Sequence, residues 1–210
     1  MNYTMAHRTK IGLLGGTFNP VHRGHVELGL HIREAFGLEK VLFILSAQPP
    51  HKKDQQIASA EIRWKMLNAA LKRLPQLESC DIEMKRSTWS WTVDTVRELR
   101  KTYPAKDTEF YFISGSEGFL KIRTWKDYKQ LLNTLSFIVV LRKPGHGQAI
   151  ENLMHEEDAA CPVHIFSYES DNLFISSTLI REKVRLGQSI DGLVDDEVKK
   201  IMEEYKLYES

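Results

Sequence analysis

His22 and His25 stand three residues apart in the stretch KIGLLGGTFNPVHRGH, Lys10 to His25. That spacing puts both on one face of a helix, so two imidazoles would be presented side by side. Gly15 and Gly16 precede them and let the backbone turn and approach a bound group with no side chain in between. Thr17 adds a hydroxyl. Imidazole, hydroxyl and bare backbone N–H are all donors, and a helix N-terminus carrying them suits a phosphate. The same residues also read as a plain tight turn or a zinc site. Zinc needs at least one more ligand, for which His31 or Glu27 could be proposed. Glu27 does not share the helical face of the histidines, and no C-x-x-C or H-E-x-x-H accompanies them. Phosphate contact therefore ranks first, a structural turn second and zinc a distant third.

Two further stretches fit an anion. In Pro49-Pro50-His51-Lys52 the prolines stiffen a loop and lower the entropy cost of holding a charge in place. Lys52 is a compact cation suited to phosphate. Ser176, Ser177 and Thr178 are natural helix caps. Arg181 follows in the first helical turn, where a cation opposes the helix dipole. An anion bound at that N-terminus removes the conflict, and the guanidinium adds a forked donor. The commoner nucleotide loops are missing: there is no G-x-x-x-x-G-K-[ST], and no G-x-G-x-x-G after the first strand.

The elements that must carry these residues alternate. Ile11, Leu13 and Leu14 read as a buried strand broken by Gly15 and Gly16. Pro20 disfavours helical geometry at Asn19, and Leu28, Ile32, Ala35 and Phe36 then mark a helix. Lys40–Leu45 is a second strand, followed by an irregular loop. Ile62, Met66, Ala69 and Ala70 mark a helix; Cys80, Ile82 and Met84 alternate as a third strand. Thr92 reads as the cap of a helix bearing Val93, Val96, Leu99 and Tyr103. Glu109–Ser114 is a fourth strand ending at Gly115, and Asp127–Leu132 a short helix. Phe137–Leu141 and Val163–Phe166 are the fifth and sixth strands, with a polar helical segment over 148–158 between them. Helices follow from Ser176 and over Asp195–Tyr205. Such alternation predicts an α/β fold: a Rossmann-like, doubly wound parallel sheet in a single domain, 1–210, whose strand ends share one edge.

Composition narrows the partners. The 210 residues are 42% hydrophobic and 27% charged with net charge +1. No global field favours nucleic acid or a membrane, so anion binding must be local. Cys80 and Cys161 match no metal or redox spacing and fit a reducing compartment. Residues 1–9 read as a flexible leader with no signal peptide, and no apolar run approaches the ~20 residues that span a bilayer. The expected location is the cytoplasm.

GGTFNPVHRGH, PPHK and ISSTLIR, in that order between about Lys10 and Leu186, resemble the nucleotidylyltransferase superfamily and, within it, the nicotinate-nucleotide adenylyltransferase branch. The resemblance implies a reaction of ATP with nicotinate mononucleotide, giving deamido-NAD and pyrophosphate. It implies that His22 and His25 contact the transferring phosphate, His25 at the α-phosphate. Lys52 and Arg181 would hold the triphosphate and the leaving pyrophosphate. Gly15, Gly16, Thr17 and Phe18 would lie against ATP, with Ser176, Ser177 and Thr178 closing its triphosphate site and Gly115 and Glu117 at its ribose. Glu117 stands where the family usually has aspartate, and Asn19 likewise replaces a frequent aspartate. Trp91, in place of a usual tyrosine, and Thr92 belong to the loop that receives the nicotinate carboxylate. Trp125 matches the tryptophan that stacks on the pyridine ring. Mg²⁺ would arrive with ATP, with no resident metal, and many members are homodimers. Nicotinamide mononucleotide or phosphopantetheine as acceptor, or a non-catalytic nucleotide-binding module, are the alternatives.

Overall fold

The computed structural model describes residues 8–47, 57–86, 89–141, 144–157, 162–167 and 175–209. Six strands form one sheet: β1 (Thr9–Gly16), β2 (Lys40–Leu45), β3 (Leu77–Cys80), β4 (Thr108–Gly115), β5 (Ser136–Val140) and β6 (Val163–Phe166). Every pairing is parallel and the order is β3-β2-β1-β4-β5-β6. The helices are α1 (Arg23–Ala35), α2 (Ala60–Leu71), α3 (Thr92–Thr102), α4 (Ser116–Phe119), α5 (Tyr128–Thr134), α6 (His146–Glu157), α7 (Ser177–Arg185) and α8 (Asp196–Glu204). A 3-10 turn covers Ile122–Thr124.

Strand alternation splits the core in two. Leu14, Val41, Phe43, Leu45, Ile138 and Val140 face α1, α2, α7 and α8 through Leu28, Ile32, Met66, Leu67, Ile180 and Val198. Leu13, Leu42, Ile44, Phe137 and Val139 face the other way, onto Val93, Val96, Leu99, Leu131 and Ile150 of α3, α5 and α6. Both faces are thus covered, which is why β2 and β5 are nearly continuous apolar runs. The order reverses between β1 and β4, so loops after these strands diverge to opposite faces and leave a crevice at their carboxyl ends.

Several boundaries differ from the sequence expectation. Thr9 is already in β1, so the leader expected over residues 1–9 does not reach that far. Gly15 and Gly16 do not break β1; they pair with Ile44 and Leu45 of β2. The pairing with β2 holds these two residues extended despite their freedom. β3 ends at Cys80, and Ile82 and Met84 lie in a turn. Their alternation reflects packing against the two separate cores, Ile82 on one and Met84 on the other. The cap of α3 is Trp91, with Thr92 the first helical residue. Among the described residues no helix is long and apolar enough to cross a membrane.

Candidate functional site

A cavity of about 390 Å³ opens at the carboxyl ends of β1 and β4. Gly15 and Gly16 line it from β1, Thr17 from the loop that follows, Ser114 and Gly115 from β4, and His25 from α1. Ser90, Thr92 and Thr95 at the start of α3, together with Trp125, form the opposite wall. The switch point thus collects residues that lie far apart in the chain.

The two histidines are tightly organised. His22 caps α1 and His25 sits in its first turn, with ring centroids 3.6 Å apart. The His22 backbone N–H donates to His25 Nδ1 at 3.3 Å. A neutral His25 accepting there carries its proton on Nε2. Phe18 sets the ring from the other side. It is 2% exposed, with φ at 46°. Its ring meets His25 edge-on at 5.1 Å and lies against Phe43 at 5.7 Å. A Cβ on Gly16 would come within 2.7 Å of that ring. The Phe18 side chain is therefore part of the packing behind His25, and any contact with ATP falls to its backbone.

The α7 turn comes to the same loop. Ser176 caps the helix by accepting from Leu179 N–H at 3.1 Å. Ser177 Oγ donates to the Pro20 carbonyl at 2.8 Å, and Arg181 Nη1 donates to the Asn19 carbonyl at 2.9 Å. Arg181 Nη2 reaches Thr178 Oγ1 at 3.4 Å. Arg181 and the histidines are thereby brought to the same β1–α1 loop. Lys52 lies outside the described residues.

On the opposite wall Trp125 lines the cavity, its ring edge-on to Phe112 at 5.6 Å. Trp91 does not line it; its ring packs on the core between the sheet and α3, while Ser90 and Thr92 on either side face the space. The cap position turns the Trp91 side chain inward and leaves the start of α3 to the cavity. Glu117 is exposed on α4 and also absent from the lining, next to Gly115, which is in it.

Residues 13–183 match the family described as Cytidylyltransferase-like. A probable nicotinate-nucleotide adenylyltransferase from Thermoanaerobacter sp. (strain X514) is 33% identical over 204 residues, covering 97% of this chain and 96% of the relative. One from Desulfitobacterium hafniense (strain DSM 10664 / DCB-2) is 36% identical over 201 residues, covering 95% of each. The chain belongs to the nicotinate-nucleotide adenylyltransferase family. A solved structure of Plasmodium falciparum nicotinic acid mononucleotide adenylyltransferase complexed with NaAD superposes with a TM-score of 0.77 at 18% identity, over 96% of this chain and 98% of that one. A second, complexed with APC, gives 0.75 at 17%. At that identity the likeness carries the fold.

This nicotinate-nucleotide adenylyltransferase family member holds site residues that sequence reasoning missed. Glu83 is buried in the cavity wall, its Oε1 accepting from Thr95 Oγ1 at 2.7 Å. Arg86 donates to the same Thr95 oxygen at 3.0 Å. Burial pushes the Glu83 carboxyl up from the usual range, against the opposing bond from Thr95. Arg63 is fully buried beneath the loops. Its signal was present: Arg63 shares a helical face with Met66, Leu67 and Leu71, and an arginine in a buried stripe implies partners inside. The expected stripe over Ile62, Met66, Ala69 and Ala70 was rotated past it. Tyr208 donates to Asn19 Oδ1 at 2.6 Å across the whole length of the chain, a pairing no local pattern encodes.

Proposed function

We infer that this protein transfers the adenylyl group of ATP to nicotinate mononucleotide, releasing pyrophosphate and forming deamido-NAD in NAD biosynthesis. The observation that carries this reading is one cavity with phosphate donors on one wall and an aromatic ring beside a helix N-terminus on the other. A phosphate oxygen of the mononucleotide attacks the α-phosphorus, the α,β-bridging P–O bond breaks, and the electron pair leaves with pyrophosphate. The attacking phosphate is already mostly ionised at neutral pH, its second pKa being about 6, so no general base is required. The protein's task is to align two polyanions and to offset charge growing on the bridge.

In this reading His25 donates from Nε2 to the α-phosphate, with His22 beside it. Gly15, Gly16 and Thr17 offer backbone and hydroxyl donors. Arg181 and Lys52 hold the β- and γ-phosphates, with Ser176, Ser177 and Thr178 around them. Thr92 at the α3 N-terminus receives the nicotinate carboxylate, where the helix dipole favours an anion, and the pyridine ring stacks on Trp125. The described donors of the phosphate wall are imidazoles, hydroxyls, N–H groups and a guanidinium. These suit phosphate oxygens, and none is the carboxylate oxygen that Mg²⁺ prefers, so Mg²⁺ enters on the nucleotide, held by phosphates and water. A cytoplasmic homodimer belongs to the same proposal.

The test is pyrophosphate release from Mg-ATP, offering nicotinate mononucleotide and nicotinamide mononucleotide separately. Turnover with preference for the acid is expected, and folded His25→Ala should lose on the order of 100-fold or more in kcat. Preference for the amide would overturn the role of the α3 N-terminus. Near-normal turnover of His25→Ala would overturn the histidine assignment.

A further inference from the structure

Arg63 lies on α2, one turn from its start, and is 1% exposed. Its guanidinium makes four hydrogen bonds, all to backbone carbonyls: Nε to Ala58 at 2.8 Å, Nη1 to Thr17 at 2.8 Å and Ser46 at 2.7 Å, and Nη2 to Ala47 at 2.9 Å. Thr17 belongs to the loop after β1, Ser46 and Ala47 to the loop after β2, and Ala58 to the end of that second loop as it enters α2. One planar group thus ties three backbone segments. Two of its partners, Thr17 and Ser46, also line the cavity.

The choice of partners has two consequences. In a trans peptide the carbonyl and the next N–H point in opposite directions. Aiming the Thr17 and Ser46 carbonyls at Arg63 therefore turns the Phe18 and Ala47 N–H groups away from it. Carbonyl dipoles also satisfy the donors without cancelling the charge. Among the described residues no carboxylate pairs with Arg63, and burial pulls its pKa down from the usual guanidinium range. A fully buried guanidinium without a counter-ion is costly to keep. An apolar residue with the same helical face would serve α2 packing at less cost.

We propose that Arg63 is a positioning residue for adenylyl transfer: it fixes the β1–α1 and β2–α2 loops in register and sets a charge, paired with no carboxylate among the described residues, behind the phosphate wall of the cavity. The proposal rests on the adenylyl-transfer reading above. Lysine keeps the charge but is a point donor on a flexible stem and cannot hold the fork. Methionine keeps much of the volume and removes both charge and bonds.

The experiment compares wild type, Arg63→Lys and Arg63→Met for kcat, both KM values and thermal melting, with kcat normalised to folded protein. Expected is a fall in kcat on the order of 10–100-fold in Arg63→Lys and more in Arg63→Met, as small misplacements of reacting groups produce. KM for nicotinate mononucleotide should stay near wild type, because Thr92 and Trp125 lie on the opposite wall. A purely structural role would lower the melting temperature but leave kcat per folded molecule unchanged, and that result overturns the proposal. If neither variant folds, the Arg63 Nε–H resonance of isotope-labelled wild type is followed while a non-hydrolysable ATP analogue is added. A shift that saturates with binding supports the proposal; an unmoved resonance in an analogue-saturated enzyme overturns it. Wild type run alongside separates the two readings, since a wild type inactive with both mononucleotides fails the function and an active one with unaltered variants fails only the inference.

Discussion

Glu83 illustrates how one residue can matter to the site and tax the fold. Its carboxyl stands in the cavity wall, buried, with the Thr95 hydroxyl donating to it. Desolvation raises its pKa above the ordinary 4.5. The folded protein therefore holds this proton more tightly than the unfolded chain does. Stability is fullest below the ordinary carboxylate value and declines as pH rises from there through the raised value. Glu83→Gln keeps an oxygen for Thr95 and removes the ionisation. Its melting temperature should exceed that of wild type near about pH 8 and converge on it near about pH 4, since other titrating groups cancel in the difference. Melts of the two proteins across that range check this, and a constant difference would contradict it. Nothing in the sequence marked Glu83. Only the turn after β3, which sends Ile82 and Met84 to separate cores, aims the residue between them into the cavity.

At the scale of elements, the buried strands were the most legible part. Lys40–Leu45, and Phe137–Leu141 to within one residue, read directly because central strands covered on both faces are continuously apolar. The elements with weaker patterns slipped: α2 by a rotation of its stripe and β3 by a shift toward its turn, since an edge strand of four residues carries little periodicity. The site was half legible. The histidines and Arg181 announced themselves by type and spacing, whereas the positions of Trp91 and Phe18 depend on which way their rings turn. α1 presents a further contact that only packing reveals. A Cβ on Gly29 would lie 2.9 Å from the Phe43 ring, which is fully buried and cannot move aside. Gly29→Ala should gain about 1 kcal/mol of helix propensity yet lose about 1–3 kcal/mol to overpacking. At the middle of that range the net loss is about 1 kcal/mol, so the expected outcome is a melting temperature lower by about 2–4 °C, with kcat reduced because Phe43 backs Phe18 and Phe18 backs His25. A melt at or above wild type would mean that the ring yields.

Across the whole molecule the chain closes on itself at its site. α8 packs on the same core face as α1 and α2, and Lys65 of α2 donates to the Tyr205 hydroxyl at 2.6 Å. Arg23 N–H at the start of α1 donates to the Leu193 carbonyl at 2.9 Å. Beyond α8, Tyr208 donates to Asn19 Oδ1, which also accepts from Ala58 N–H at 3.1 Å, while the Asn19 carbonyl takes Arg181. One residue of the first loop thus joins the second loop, α7 and the end of the chain. Burial pushes the Tyr208 phenol up, so it stays a donor throughout the ordinary pH range. Tyr208→Phe keeps the ring and removes this single bond, while Ala58 N–H still donates to Asn19 Oδ1. The loss should be about 1 kcal/mol, or about 2–4 °C in melting temperature. Because Asn19 also seats Arg181, KM for ATP should rise by roughly 3–10-fold, equivalent to the same free energy. KM for nicotinate mononucleotide should not move, its wall being built from α3 and Trp125. Equal changes in both constants would mean that the chain terminus supports the sheet as a whole; a change confined to ATP means that it acts through Asn19 on the phosphate side.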